Sequence, residues 1–161
     1  MSDSPSLFSL EQYNVEDSVG YLLARSRMML VKAIDEMTAE LGITSAQGGI
    51  VCMLFTGKYS TAAELARELY IDAASMKRML DRLVARDLIR REPNAEDRRQ
   101  INLCLTPAGQ ALAQKLPSIY VDVLNRSFSG FTAEEVGFLK SLLRKLLSNG
   151  NASDAKKLTS Q

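Results

Sequence analysis

Between Ala73 and Arg86, three residues able to recognise hydrogen-bond acceptors recur at helical spacing: Ser75, Arg78 and Arg82. An α-helix turns about 100° per residue, which puts all three within about 60° of one another. Met76, Met79, Leu80, Leu83 and Val84 fall on the opposite side, as a core-facing stripe must. Ala74, Asp81 and Ala85 complete the polar side, and its small residues let the backbone approach a groove. Forked guanidinium donors match guanine edges or phosphates, whereas Lys77, on the flank, suits a phosphate as a point charge. A second cluster, Asp97-Arg98-Arg99, lies in a polar span between two extended segments. There Asp97 is expected to orient an arginine side chain, and arginines on a protruding tip suit a narrow minor groove. The plainer alternatives are a solvated helix face with ordinary ion pairs and, at the tip, a self-satisfied surface turn.

The rest of the composition removes competing chemistries. The 161 residues include no His, so no imidazole base, His-dependent triad or His-bound metal can be built. Cys52 and Cys104 are too few for a four-cysteine zinc site and form a poor disulfide framework. No glycine-rich phosphate loop is present, and the expectation is no enzyme and no cofactor. Net charge is only +1, but it is unevenly placed. Ser75–Arg99 holds eight basic residues against five acidic, a net of +3, while residues 1–57 hold three against seven, a net of −4. The longest apolar run, Ile50–Phe55, is too short to cross a bilayer, and Met-Ser-Asp-Ser-Pro lacks the features of a signal peptide. A cytoplasmic protein without membrane contact is expected.

These clusters need a frame to hold them. Apolar residues at Val19, Leu23, Leu30, Ile34, Met37 and Leu41 predict one long helix over 16–41, closed by Gly42. Thr44-Ser-Ala-Gln47, Thr61-Ala-Ala-Glu64 and Thr132-Ala-Glu-Glu135 are capping boxes that open further helices. Tyr70-Ile71 predicts a tight turn, and Asp72 caps the helix from Ala73. Leu88–Glu92 and Gln100–Leu105 read as the strands of a hairpin. Thr106-Pro107 opens a long helix reaching Phe128, and the last helix is expected to end at Leu147. The expected architecture is mainly α with a β-hairpin wing, a winged helix-turn-helix over 42–105. Residues 16–41 and 106–147 form its helical dimerisation frame, between an arm over 1–15 and a disordered tail over 148–161. Long apolar-faced helices that the central lobe covers only in part predict a homodimer with an isologous interface.

The run Asp72-Ala-Ala-Ser-Met-Lys-Arg-Met-Leu-Asp-Arg-Leu83, then Leu88-Ile-Arg-Arg91, Asp97-Arg-Arg99 and Leu105-Thr-Pro-Ala-Gly109, resembles the MarR family of bacterial transcriptional regulators. The resemblance spans residues 16 to 147. It implies a dimeric winged-helix repressor, or sometimes an activator, whose hold on duplex DNA is relieved by a small ligand or by oxidation. It also matches Ser75, Lys77 and Arg78 to recognition-helix positions, and Asp97 and Arg99 to the wing tip. Asp87 stands where the family often has Gly, and Asp tolerates a left-handed cap.

Two candidate switches remain. Ser26 lies inside the apolar stripe of the first helix and Arg27 at its edge, a pairing able to hold the carboxylate of a small aromatic acid. The resemblance points the same way, since many members bind aromatic acids. Alternatively, Ser26 bonds back to its own helix and Arg27 snorkels to solvent. For oxidation, the hydroperoxide-sensing members carry a reactive cysteine near the start of the first long helix. This chain has none there, so Cys52 and Cys104 read as buried, inert thiols. A different class of function, a winged-helix module for protein contact without DNA, predicts apolar or acidic residues where Arg78 and Arg82 stand.

Overall fold

The computed structural model describes residues 6–97 and 99–158, with side-chain surroundings through residue 150. Helix α1 (Val19–Thr38) runs into a 3-10 turn, Ala39–Leu41, and is followed by α2 (Ser45–Phe55), α3 (Ala62–Glu68) and α4 (Ala73–Ala85). A hairpin of β1 (Ile89–Pro93) and β2 (Ile101–Leu105) then leads into α5 (Pro107–Ser127) and α6 (Ala133–Leu158). The chain forms two compact units, one ending at Leu124 and one beginning at Asn125.

Local chemistry sets the helix starts. Thr44 Oγ1 accepts from the Gln47 amide at 3.3 Å, and Gln47 Oε1 accepts from the Thr44 amide at 3.0 Å. Thr61 and Glu64 exchange the same pair at 3.2 and 2.9 Å, as do Thr132 and Glu135 at 3.2 and 2.8 Å. The amides of Ser60 and Thr61 hold the Glu64 carboxyl below its ordinary range. Helix α1 begins at Val19 and not at Glu16, because Ser18 Oγ takes the Tyr21 amide at 3.2 Å and becomes the N-cap. Its far end tightens into the 3-10 turn and stops at Gly42, whose φ is 65°.

The first unit packs Ile50, Leu65, Met76, Leu80, Leu83, Ile89 and Leu116 into a core closed to solvent. The strands pair antiparallel with Ile89 opposite Leu105 and Pro93 opposite Ile101. Each strand begins one residue later than the pattern predicted, and β1 also ends one later, taking in Pro93. A two-stranded sheet consists of edges, so a proline lacking its N–H is tolerated there. The Leu103 amide donates to Ser60 O at 2.7 Å, anchoring the hairpin to the turn before α3. Gly109 admits α5 to the lobe: a Cβ at this position would lie 1.9 Å from Leu88 O.

In the second unit Phe128 and Phe131 meet edge to face with centroids 5.1 Å apart, and Gly130 turns the chain at a φ of 88°. Helix α6 continues to Leu158, which corrects the expected disordered tail over 148–158, while 159–161 lie outside the described residues. The polar Ser-Asn-Gly-Asn stretch reads as a helix stop by composition. It is followed by Ala152, Ala155, Lys156, Lys157 and Leu158, residue types that carry a helix past one glycine at a cost of about 1 kcal/mol.

Candidate nucleic-acid interface

Helices α3 and α4 form the helix-turn-helix. Their turn closes through the Ile71 amide on Ala66 O at 2.9 Å, with Tyr70 left-handed at a φ of 52°. Asp72 Oδ1 then accepts from the Ser75 amide at 2.8 Å and starts α4, and that bond draws the Asp72 carboxyl below its ordinary range. Met76, Leu80 and Leu83 are buried, while Ala74, Arg78, Arg82 and Ala85 are exposed and Ser75 is half-buried. The angular placement read from sequence therefore describes the helix as folded. Arg78 Nη2 donates to Ser75 Oγ at 2.7 Å, so the hydroxyl fixes the guanidinium against its own helix.

The remaining cations of the lobe are used in different ways. Lys77 Nζ donates to Asp81 Oδ2 at 2.9 Å, and Arg91 Nη2 reaches Asp81 Oδ1 at 2.7 Å. Arg90 Nε pairs with Glu92 Oε1 at 2.5 Å. The pairs of Lys77 and Arg90 are solvent-exposed, and such pairs hold little free energy, so a phosphate can displace them. Arg86, counted with the basic cluster on sequence, turns away to donate to Leu41 O at 2.8 Å and to Gly42 O. Arg82 and Arg99 make no ion pair among the described residues.

The wing tip is built from side chains that imitate turns. Asn94 Oδ1 accepts the amides of Glu96 at 2.8 Å and Asp97 at 3.0 Å. Asp97 Oδ1 accepts the backbone amide of Arg99 at 2.9 Å. Asp97 thus shapes the loop through an Asx turn and makes no ion pair with the Arg99 guanidinium. Arg98 lies outside the described residues.

Sequence reasoning missed Asp81 and Arg91, which join α4 to β1. They stand ten residues apart across a helix end and a strand start, and no periodic template links those positions. An apolar cavity of about 380 Å³ is lined by Ala62, Ala66, Met76, Leu80, Leu103 and Arg91 among others. Ser26 and Arg27 are both exposed on α1 and do not line it. Burial pushes the Cys52 thiol up, and burial with the Glu92 carboxylate pushes Cys104 up; Cys104 Sγ donates to Glu92 Oε2 at 3.3 Å. Among the described residues no cluster of three His, Cys, Asp or Glu is placed to hold a metal, and no helix is long and apolar enough to cross a membrane.

Residues 43–101, the helix-turn-helix and nearly all of the wing, match the MarR family model. Over 117 residues the chain is 32% identical to the multiple antibiotic resistance protein MarR of Escherichia coli, covering 72% of this chain and 81% of that protein. The chain belongs to the MarR family. Among solved structures, a cysteine-to-serine mutant of E. coli MarR complexed with operator DNA superposes with a TM-score of 0.73 at 30% identity, covering 80% of this chain and 93% of that one. Bordetella bronchiseptica BpsR, whose DNA binding is regulated by 6-hydroxynicotinic acid, superposes with a TM-score of 0.73 at 26% identity, covering 83% and 96%. The MarR-family relatives are transcriptional regulators, and this chain is a regulator of that kind and not an enzyme.

Proposed function

We propose that this MarR-family chain is a homodimeric repressor that reads a pseudo-palindromic duplex operator and is released by a small aromatic acid. The observation that carries the reading is the exposed face of α4. Arg78 is held by Ser75 at 2.7 Å beside an Arg82 that has no ion-pair partner among the described residues. In this reading Arg78 and Arg82 meet base edges, Lys77 meets a phosphate, and Arg98 and Arg99 on the loop shaped by Asp97 enter the adjacent minor groove. The operator-bound E. coli relative supports it.

The dimer follows from unpartnered apolar surface. Val19, Leu22, Leu23, Met28 and Met29 stand exposed on α1, and Phe138, Leu142 and Leu146 on α6. Residues 16–41 and 106–147 bury these faces against the same helices of a second copy. Two recognition helices related by a two-fold axis then read half-sites about 10 bp apart. A protein acting on chromosomal operators works in the cytoplasm.

Ser26 and Arg27 hold the acid's carboxylate from α1, a role supported by the regulation of BpsR by an aromatic acid. Their exposure in a single chain leaves them accessible to a ligand at the edge of the dimer helices.

Fluorescence anisotropy against randomised duplexes at two salt concentrations tests the reading. Enrichment of a two-fold-symmetric sequence, with affinity falling steeply in salt, is the expected result. Titrating 6-hydroxynicotinic acid and benzoate into that complex should release it in wild type, and less so in Arg27→Ala. No binding at low salt would sink the operator reading and favour a protein-contact module.

A further inference from the structure

Both long helices that flank the reading lobe are fastened to one short turn, Arg86–Leu88, at the C-terminal end of α4. From one side, Arg86 donates to Leu41 O at 2.8 Å and to Gly42 O, capping the 3-10 turn that ends α1 from 45 residues away in sequence. Gly42 is shaped for this contact: a Cβ there would lie 3.3 Å from the guanidinium nitrogens. From the other side, Thr106 Oγ1 donates to Asp87 O at 2.5 Å, and the Thr106 amide to Leu88 O at 3.1 Å. Asp87 takes the left-handed conformation, with a φ of 54°, that turns the chain between the two attachments. The link from α1 into α2 is tied as well. Thr38 Oγ1 donates to Ile43 O at 3.0 Å, and Asp35 Oδ1 accepts from the Ser45 amide at 2.6 Å.

We propose that this turn is the joint through which dimer geometry sets the distance between the two recognition helices, and that Arg86 is its positioning residue, selecting operators by half-site separation. The inference rests on the operator-binding dimer proposed above. The lever is short and well defined. Ser75 lies eleven residues before Arg86, about 16 Å along the helix at 1.5 Å per residue. A swing of about 10° about the C-terminal end would move Ser75 by about 3 Å, close to the rise of about 3.4 Å per base pair. A joint that is loose by that amount cannot tell a half-site spacing from its neighbour. Arg86 is exposed, so its removal leaves no buried charge, and water can take over the two carbonyls. The fold should therefore survive a truncation that loosens the joint.

The competing role for Arg86 is a plain phosphate contact, and the two roles separate cleanly. Wild type, Arg86→Met and Arg86→Lys are titrated against the operator enriched by wild type, against versions with its half-sites one and two base pairs closer or further apart, and against a single half-site. Native mass spectrometry of each sample checks that the dimer is intact. Wild type should prefer its own spacing by about tenfold over either neighbour, the scale of one misplaced base pair. Arg86→Met should flatten that preference to within about threefold while leaving single-half-site affinity and salt slope unchanged, and Arg86→Lys should fall between. Full retention of spacing preference in Arg86→Met overturns the proposal. So does an equal loss on half-site and full operator with a shallower salt slope, which would make Arg86 a phosphate contact. Should Arg86→Met not fold, Arg86→Lys reads the same spacing series. Failure of wild type to bind any duplex would instead remove the operator reading itself.

Discussion

Arg91 on β1 and Asp81 on α4 meet at 2.7 Å, and the other carboxylate oxygen of Asp81 takes Lys77 at 2.9 Å. One carboxylate thus ties the wing to the recognition helix while restraining a cation on that helix's flank. The two elements proposed to enter neighbouring grooves are registered to each other before any DNA arrives.

Asp81→Asn should loosen that register and weaken operator binding, with a pH signature in its stability. Hydrogen bonds from Lys77 and then Arg91 hold the Asp81 carboxyl below its ordinary range. A group whose pKa is depressed on folding stabilises fully above its unfolded value, about 3.9 for aspartate, and loses that contribution as pH falls through the folded value. Wild type should therefore melt above Asp81→Asn at pH 7. The difference should hold to about pH 5 and shrink below about pH 3.9 in melts followed by circular dichroism. A difference that grows in acid would refute this.

On DNA, the face of α4 divides into two behaviours. Arg78→Ala should cost about 1–3 kcal/mol on the specific site and relax discrimination at one position, whereas Lys77→Ala should weaken all sequences alike and reduce the salt slope by about 1. Ser75→Ala should reproduce part of the Arg78 loss, because it frees the guanidinium that Ser75 holds. Arg99→Ala should weaken binding through the wing, and Asp97→Ala should do so less by unshaping the loop. Anisotropy titrations at several salt concentrations measure all five.

What could be read beforehand was local. Each capping box is a bond between residues three apart, and Thr44–Gln47, Thr61–Glu64 and Thr132–Glu135 form as their spacing predicts. The buried stripe of α4 follows from helical period alone, and Asp87 adopts the left-handed cap its residue type tolerates. What could not be read depends on which carbonyl or carboxylate happens to lie near a long side chain. Arg86 finds Leu41 and Gly42 across the lobe, and Arg91 finds Asp81 across a turn. Both add to the net charge of Ser75–Arg99, yet each is held by groups of the protein itself. The aspartate at the wing tip was located, while its bond to a backbone amide two residues on is a turn contact that a reading of side-chain charges passes over.

The two thiols should be silent toward oxidants. Burial raises Cys52, and burial with the neighbouring Glu92 carboxylate raises Cys104, so neither is a thiolate at pH 7. Operator binding by wild type should survive millimolar-scale hydrogen peroxide as well as the Cys52→Ser, Cys104→Ser double variant does. Peroxide release in wild type alone would establish a redox switch.

Gly109→Ala tests the seat of α5. Its Cβ would collide with a backbone carbonyl, Leu88 O, which cannot rotate aside as a flexible side chain would. Shifting α5 would strain the bonds from Thr106 to Asp87 and Leu88. A loss of about 3 kcal/mol or more in urea unfolding is expected, against a gain of about 1 kcal/mol if only helix propensity mattered.

Gly48 and Tyr120 offer the opposite case, a collision with the far end of a side chain. The Tyr120 hydroxyl is buried beside the Cys52 thiol, and burial, with that thiol, pushes it above the ordinary phenol range. It lies where a Cβ on Gly48 would come within 2.5 Å, while the next atoms, on Ile43 and Leu116, are at an ordinary 3.7 Å. Tyr120→Phe should stay within about 1 kcal/mol of wild type, since the thiol is at best a weak partner for a buried hydroxyl. Gly48→Ala alone should destabilise through the crowded hydroxyl. In the Tyr120→Phe background the same change should stabilise by up to about 1 kcal/mol, because α2 then gains helix propensity without the clash. The double-mutant cycle in urea reads this as a coupling between the two sites. Additive effects would show that the hydroxyl swings clear when Gly48 is substituted.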